Sequence, residues 1–127
     1  MKYHFLILAL NEETHLKQTF IGLKEVILET DIKDYQISVI DDGSTDSTLE
    51  VAQEIKTELD SNFKIISNGK NLGPGVSIKN YIDEVQEGKL VIISGDNDLE
   101  KDLIKKIVNA SKKADLVLSC YLNREKK

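Results

Sequence analysis

Ile37-Ser38-Val39-Ile40-Asp41-Asp42-Gly43-Ser44-Thr45-Asp46 is the stretch whose reading decides the fold. Its apolar half reads as a buried strand. Its polar half puts three carboxylates and two hydroxyls where that strand meets solvent and turns into a helix. One such side chain is enough to cap a helix, so the surplus charge calls for a cation, a base or a sugar hydroxyl as partner. A second apolar run, Leu90-Val91-Ile92-Ile93, leads to Asp96-Asn97-Asp98. Two acid-tipped strands in one small chain imply one site assembled from both.

Outward from this stretch, strand-like and helix-like segments alternate. Residues 3–10 are nearly all apolar, as a strand covered on both faces would be. Asn11 is placed to cap the next segment, where Leu16, Phe20, Leu23 and Ile27 recur at helical spacing. Residues 36–41 form the second strand. After it, Asp46 or a neighbour caps a helix with the stripe Leu49, Ala52, Ile55 and Leu59. Residues 63–66 form a short third strand, followed by a polar loop. Pro74 suits a first helical turn, and Val76, Ile78, Ile82 and Val85 are expected on the buried side of that helix, which ends by Gly88. Residues 90–94 are the fourth strand. Leu99, Leu103, Ile107 and Ala110, with Ile104 and Val108 beside them, mark a fourth helix, and residues 115–120 a fifth strand. This β-α repetition predicts a three-layer α/β/α, mostly parallel, Rossmann-like sheet with right-handed crossovers. Asn11-Glu12, Asp41-Asp42, Asn68–Asn71 and Asp96–Asp98 all follow strand ends, the edge at which such sheets bind ligands.

At 127 residues the chain makes one domain, large enough for a core but short for a two-substrate enzyme. A net charge of −5 argues against broad nucleic-acid binding, which needs basic surface. No apolar run approaches the ~20 residues needed to span a bilayer. The single cysteine, Cys120, excludes an internal disulfide and fits a reducing compartment.

Part of the Asp41–Asp46 segment is explained by capping, with Gly43 allowing a tight turn. Capping does not explain a carboxylate at the end of a buried strand, where an unpaired charge is costly. Asp41 is therefore read as accepting from a base N–H or ribose hydroxyls, and Asp42 equally as cap or ligand. Asp96 and Asp98, one residue apart in a turn, suit one divalent ion, since Mg²⁺ is commonly held by one or two carboxylates plus phosphate oxygens. Asn68-Gly69-Lys70-Asn71-Leu72-Gly73-Pro74-Gly75, with Lys79 one helical turn on, reads either as a plain turn or as a loop meeting the anionic part of a ligand. It lacks the P-loop pattern, and no Gly-x-Gly-x-x-Gly follows the first strand. His4 and His15 read as structural, Cys120 as a small core residue, and no nucleophile elbow is present.

With these residues in hand, the chain resembles the amino-terminal half of family 2 glycosyltransferases of the GT-A fold, especially the polyprenyl-phosphate (dolichol-phosphate mannose synthase-like) branch. Leu8-Ala9-Leu10-Asn11-Glu12-Glu13 resembles the family's opening strand and loop, and Val39 to Thr48 its strongest signature. Asn71-Leu72-Gly73-Pro74-Gly75 with Lys79 is similar to its third loop, and Gly95-Asp96-Asn97-Asp98 to its metal-binding Asp-x-Asp. The resemblance implies a nucleotide-sugar site. Ala9, Asn11 and Glu12 would line the nucleotide pocket, Asp41 would contact the base, and Lys79 would stand near the donor. Asp96 and Asp98 would face Mg²⁺ or Mn²⁺ and the diphosphate. It also implies a UDP- or GDP-sugar donor, an acceptor such as a polyprenyl phosphate, and a cytoplasmic domain peripheral to the inner membrane face.

The chain departs from the family at Ala9, usually Pro, at Tyr81, usually Gly, and at Gly95, which delays the acidic triplet by one residue. It stops where the acceptor half with the catalytic base would begin, and Arg124 resembles the start of that half. The expectation is therefore a truncated chain, 1–127, that binds donor weakly and transfers little, and whose uncovered apolar surface favours self-association. Three other readings share part of the pattern. A receiver-type signalling domain needs its acidic pair after the first strand, where Asn11-Glu12 stands. A haloacid-dehalogenase-type phosphatase has an Asp-x-Asp-Gly-Thr turn, which Asp41-Asp42-Gly43-Ser44-Thr45 echoes one residue out of place. A catalytically silent partner-binding domain is the third.

Overall fold

The computed structural model describes residues 2–85, 87–96 and 101–111. Within them the chain runs β1 (Tyr3–Ala9), α1 (Leu16–Glu29), β2 (Tyr35–Asp41), α2 (Thr48–Glu58), β3 (Lys64–Ser67), α3 (Pro74–Val85), β4 (Lys89–Ser94) and α4 (Lys101–Ser111). The expected fifth strand, Cys120, Arg124, Leu99, Asn97 and Asp98 lie outside the described residues.

The four strands form one parallel sheet in the order β3-β2-β1-β4. Continuous apolar runs are what such a sheet requires, because both of its faces are covered. On one face Phe5, Ile7, Ile37, Val39, Val91 and Ile93 pack against α1, α2 and α4. On the other, Leu6, Ile40, Leu90 and Ile92 pack with Tyr81 of α3. The right-handedness of β-α-β crossovers accounts for this split. Moving from β1 to β2 to β3 puts α1 and α2 on one face, and returning from β3 to β4 across two strands puts α3 on the other. The connections diverge between β1 and β4, and a crevice opens at the carboxyl ends of strands at such a point.

The stripe expected on α1, Leu16, Phe20, Leu23 and Ile27, is buried throughout, with Phe20 edge-on to Phe63 at 5.1 Å between ring centres. In α2, Ala52 and Ile55 are buried, while Leu59, just past the last turn, is exposed. Among the described side chains of α4, Ile104 and Val108 are buried, Ile107 is partly buried and Ala110 faces solvent. Glu25 and Glu29 of α1 pair with Lys101 and Lys105 of α4, setting the two parallel helices side by side.

The buried side of α3 needs correction. Val76 and Ile82 are 49% and 41% exposed, Ile78 and Val85 are partly buried, and the helix buries Ser77 and Tyr81 instead. The reason is a polar anchor. The Tyr81 hydroxyl lies 3.2 Å from His4 Nδ1 and 3.2 Å from Ser38 Oγ beneath the helix. Burial and then the nearby Lys2 charge hold the His4 imidazole below its ordinary pKa, favouring the neutral ring that such a network uses.

Candidate functional site

The parallel sheet brings the ends of β1, β2, β3 and β4 to a single edge. Backbone bonds carry the sheet pattern past the strand ends: Asp42 N–H donates to Ala9 C=O, Asn68 N–H to Asp41 C=O and Gly95 N–H to Leu8 C=O, at 2.9 to 3.0 Å. Residues 42, 68 and 95 therefore sit on the same rim. Adjacent strands lie ~4.8 Å apart, so the tips of β2 and β4, with β1 between them, are roughly 10 Å apart. The strands that end in Asp41 and lead to Asp96 therefore finish on one edge of the sheet.

A cleft of about 200 Å³ opens at this rim on the α3 side of the sheet. Leu8, Leu10 and Ile40 give it apolar walls, Pro74 and Ser77 bring in the start of α3, and Ala9, Glu12, Asp42 and Ser94 edge it. Ala9 and Glu12, both named from the sequence, are among the residues that line this cleft. Ser77, Ser94 and the apolar walls were not picked out from sequence. For the strand residues the signal is parity, since Leu8, Ile40 and Ser94 all face α3 with Leu6 and Ile92.

The same parity exchanges the two central carboxylates. Asp41 continues the series Ile37 and Val39, on the face of α1 and α2. It is 4% exposed, and its Oδ1 accepts from Ser44 N–H at 3.2 Å. It does not line the cleft; Asp42, one residue on, does. Asp42, 9% exposed, accepts from Asn68 Nδ2 at 2.9 Å and Leu72 N–H at 2.8 Å on Oδ1, and from Gly73 N–H at 3.0 Å on Oδ2. Burial alone would raise its pKa, but the Leu72, Asn68 and Gly73 donors outweigh it and hold the carboxyl below its ordinary value.

Asn11 acts differently from expected. It adopts φ 55°, in the left-handed region that Asn tolerates, and caps a neighbouring loop instead of its own helix. Its Oδ1 accepts from Thr45 N–H at 2.8 Å and Asp46 N–H at 3.4 Å, and its own N–H donates to Ser44 Oγ at 2.9 Å. Glu12 N–H donates to Thr48 Oγ1 at 2.8 Å, and Ser47 N–H to Glu13 Oε1 at 2.8 Å. Asp46 closes the seam, accepting from Thr48 N–H and hydroxyl and from Glu13 N–H. Burial again works upward on its pKa, and these donors, the Thr48 hydroxyl foremost, bring it below the ordinary value. Much of the surplus polarity in the 41–48 stretch thus joins the loop after β2 to the loop after β1.

Lys79 lies on the exposed side of α3 and pairs with Asp83 at 2.7 Å, away from the cleft lining. Asp96 is half-buried two residues beyond β4, and Asp98 lies outside the described residues. Among the described residues no group of three or more His, Cys, Asp or Glu is gathered to hold a metal by itself. A hard oxygen donor such as Asp96 fits Mg²⁺ or Mn²⁺ when a ligand's phosphates complete the shell. The described residues contain no helix long and apolar enough to cross a membrane.

Comparison with known proteins agrees with this geometry. Residues 5–126 match the family model described as Glycosyl transferase family 2. A cholesterol galactosyltransferase of Borreliella burgdorferi is 32% identical over 101 residues, which is 78% of this chain and 27% of that protein. The crystal structure of S. aureus TarS 1-349 superposes with a TM-score of 0.60 at 22% identity, over 89% of this chain and 33% of that one. The structure of TarS 1-349 in complex with UDP has the same TM-score and identity. The chain therefore spans about a quarter to a third of these relatives.

Proposed function

Because the chain belongs to glycosyl transferase family 2, we propose that its rim binds the nucleotide of a UDP- or GDP-sugar and serves transfer of that sugar to an acceptor. The observation that carries this reading is the cleft at the β1/β4 divergence: apolar walls with a few convergent polar groups are the composition that takes a flat base and fixes its orientation. Leu8, Leu10, Ile40 and Pro74 would sandwich the base. Asp42 and Glu12, with the Ser77 and Ser94 hydroxyls, would supply its polar contacts. Ala9 would let the backbone edge approach. Asp41, which faces away from the cleft, and Asn11 would hold the rim in shape.

A divalent ion, Mg²⁺ or Mn²⁺, would be held by Asp96 and Asp98 and would offset charge on the departing diphosphate. In the reaction an acceptor oxygen, already anionic in a lipid phosphate, bonds to the anomeric carbon as the bond to the diphosphate breaks, and that electron pair leaves with the nucleoside diphosphate. Lys79 would reach donor phosphates by exchanging its Asp83 partner for them. A lipid acceptor at a membrane surface, such as a polyprenyl phosphate, is the finer reading we favour. It is supported by the motif resemblance and by the relative named for acting on cholesterol. Self-association through exposed apolar side chains is part of the same proposal.

Thermal unfolding with UDP or GDP at millimolar concentration, with Mn²⁺ or with chelator, tests the proposal. Ligand that binds only the native state raises the transition. The expected result is a rise with one nucleotide that needs the ion. No rise with either nucleotide would overturn the donor-site reading.

A further inference from the structure

We infer that Asn68 is a positioning residue of the rim, a latch fixing the 68–73 loop and the first turn of α3 as one wall of the cleft; its effect on donor binding rests on the function proposed above. Backbone and side-chain bonds from three places meet at this one residue. The Asn68 N–H donates to Asp41 C=O at 3.0 Å, extending the β2–β3 pairing one residue past the end of β3. Its Nδ2 donates to Asp42 Oδ1 at 2.9 Å and to Ser77 Oγ at 2.9 Å. The amide's orientation follows from chemistry, because an ionised carboxylate only accepts and the NH₂ must face it. Both amide hydrogens are thereby spent on two residues that line the cleft.

The loop returns the contact. Leu72 and Gly73 N–H groups donate to the same Asp42 carboxylate, and Ser77 N–H donates to Gly73 C=O at 3.2 Å. A second, independent observation shows the loop seated against the strand end. Gly43, at φ 79°, lies so close that a Cβ there would stand 2.4 Å from the Lys70 carbonyl carbon and 2.5 Å from Asn71 N. The loop thus has little room on the Gly43 side, and Asn68 ties it on the Ser77 side. Pro74 and Ser77 of the cleft wall follow the loop.

The test compares Asn68→Ala and Asn68→Asp in the whole chain by amide hydrogen exchange at Leu72 and Gly73 and by UDP and GDP titration with Mn²⁺. In Asn68→Ala, exchange at both amides should quicken and the nucleotide Kd should rise about tenfold, as expected for one lost buried hydrogen-bond set. Asn68→Asp sets a second carboxylate against Asp42. Like charges raise a carboxyl pKa, so its affinity should recover as pH is lowered from about 8 to about 5.5, relative to wild type in the same buffers. Unchanged exchange in Asn68→Ala overturns the latch, and weaker binding with unchanged exchange would make Asn68 a direct ligand contact instead. If the wild type binds no nucleotide, the donor reading fails, while quickened exchange at Leu72 and Gly73 still upholds the latch.

Discussion

At Asp42, donors from three residues converge on one carboxylate at the mouth of a cleft. This has a consequence in acid. The carboxyl sits below its ordinary pKa in the folded chain, so the stability it contributes is present above the unfolded value of about 3.9 and is lost as pH falls through the folded value. Asp42→Asn should be less stable at neutral pH by about 1–2 kcal/mol, because the Leu72 and Gly73 N–H groups lose their charged acceptor. Urea unfolding of both proteins should show that gap constant down to about pH 5 and shrinking below about pH 4. A gap that does not change with pH would show that the charge on Asp42 is not what holds the loop. Asn11 carries a related lesson. Its strand-end position was legible in the sequence, but its capping target, 34 residues away at Thr45, was not.

At the scale of the element, α3 departs most from its hydropathy. A stripe reading chooses Val76 and Ile82, yet the helix turns Ser77 and Tyr81 inward. Polar side chains win the buried side here because each finds a partner across a tertiary contact: Asn68 for Ser77, and His4 with Ser38 for Tyr81. Tyr81→Phe keeps the ring and removes only the shared hydroxyl. It should cost about 1–2 kcal/mol in urea unfolding while leaving the far-ultraviolet dichroism unchanged. A variant as stable as wild type would mean that the hydroxyl merely fills space. The other helices were easier to read, since α1 buries a regular apolar stripe and meets no competing polar anchor. The exposed Glu–Lys pairs between α1 and α4 set register more than stability, because exposed pairs contribute little.

At the scale of the whole molecule, the strand order places β1 between β2 and β4 and leaves β3 pairing only with β2 among the described residues. The site is built on that order, since the cleft opens where β1 and β4 lie side by side with their connections diverging. Native-state hydrogen exchange should show β1 amides from Phe5 to Leu8 opening only with global unfolding, with β3 amides exchanging faster. Equal protection in β1 and β3 would contradict a sheet edge at β3.

The alternation of strands and helices, the parallel sheet, the acid-tipped strand ends and their convergence on one rim were determined by the sequence alone. Each rests on a local periodicity or a turn residue, and chirality then leaves few ways to connect such units. Which of Asp41 and Asp42 faces the cleft, which loop Asn11 caps and which side of α3 is buried were decided only by the tertiary structure. Those outcomes depend on strand parity at the sheet edge and on hydrogen-bond partners that are remote along the chain and adjacent only after folding.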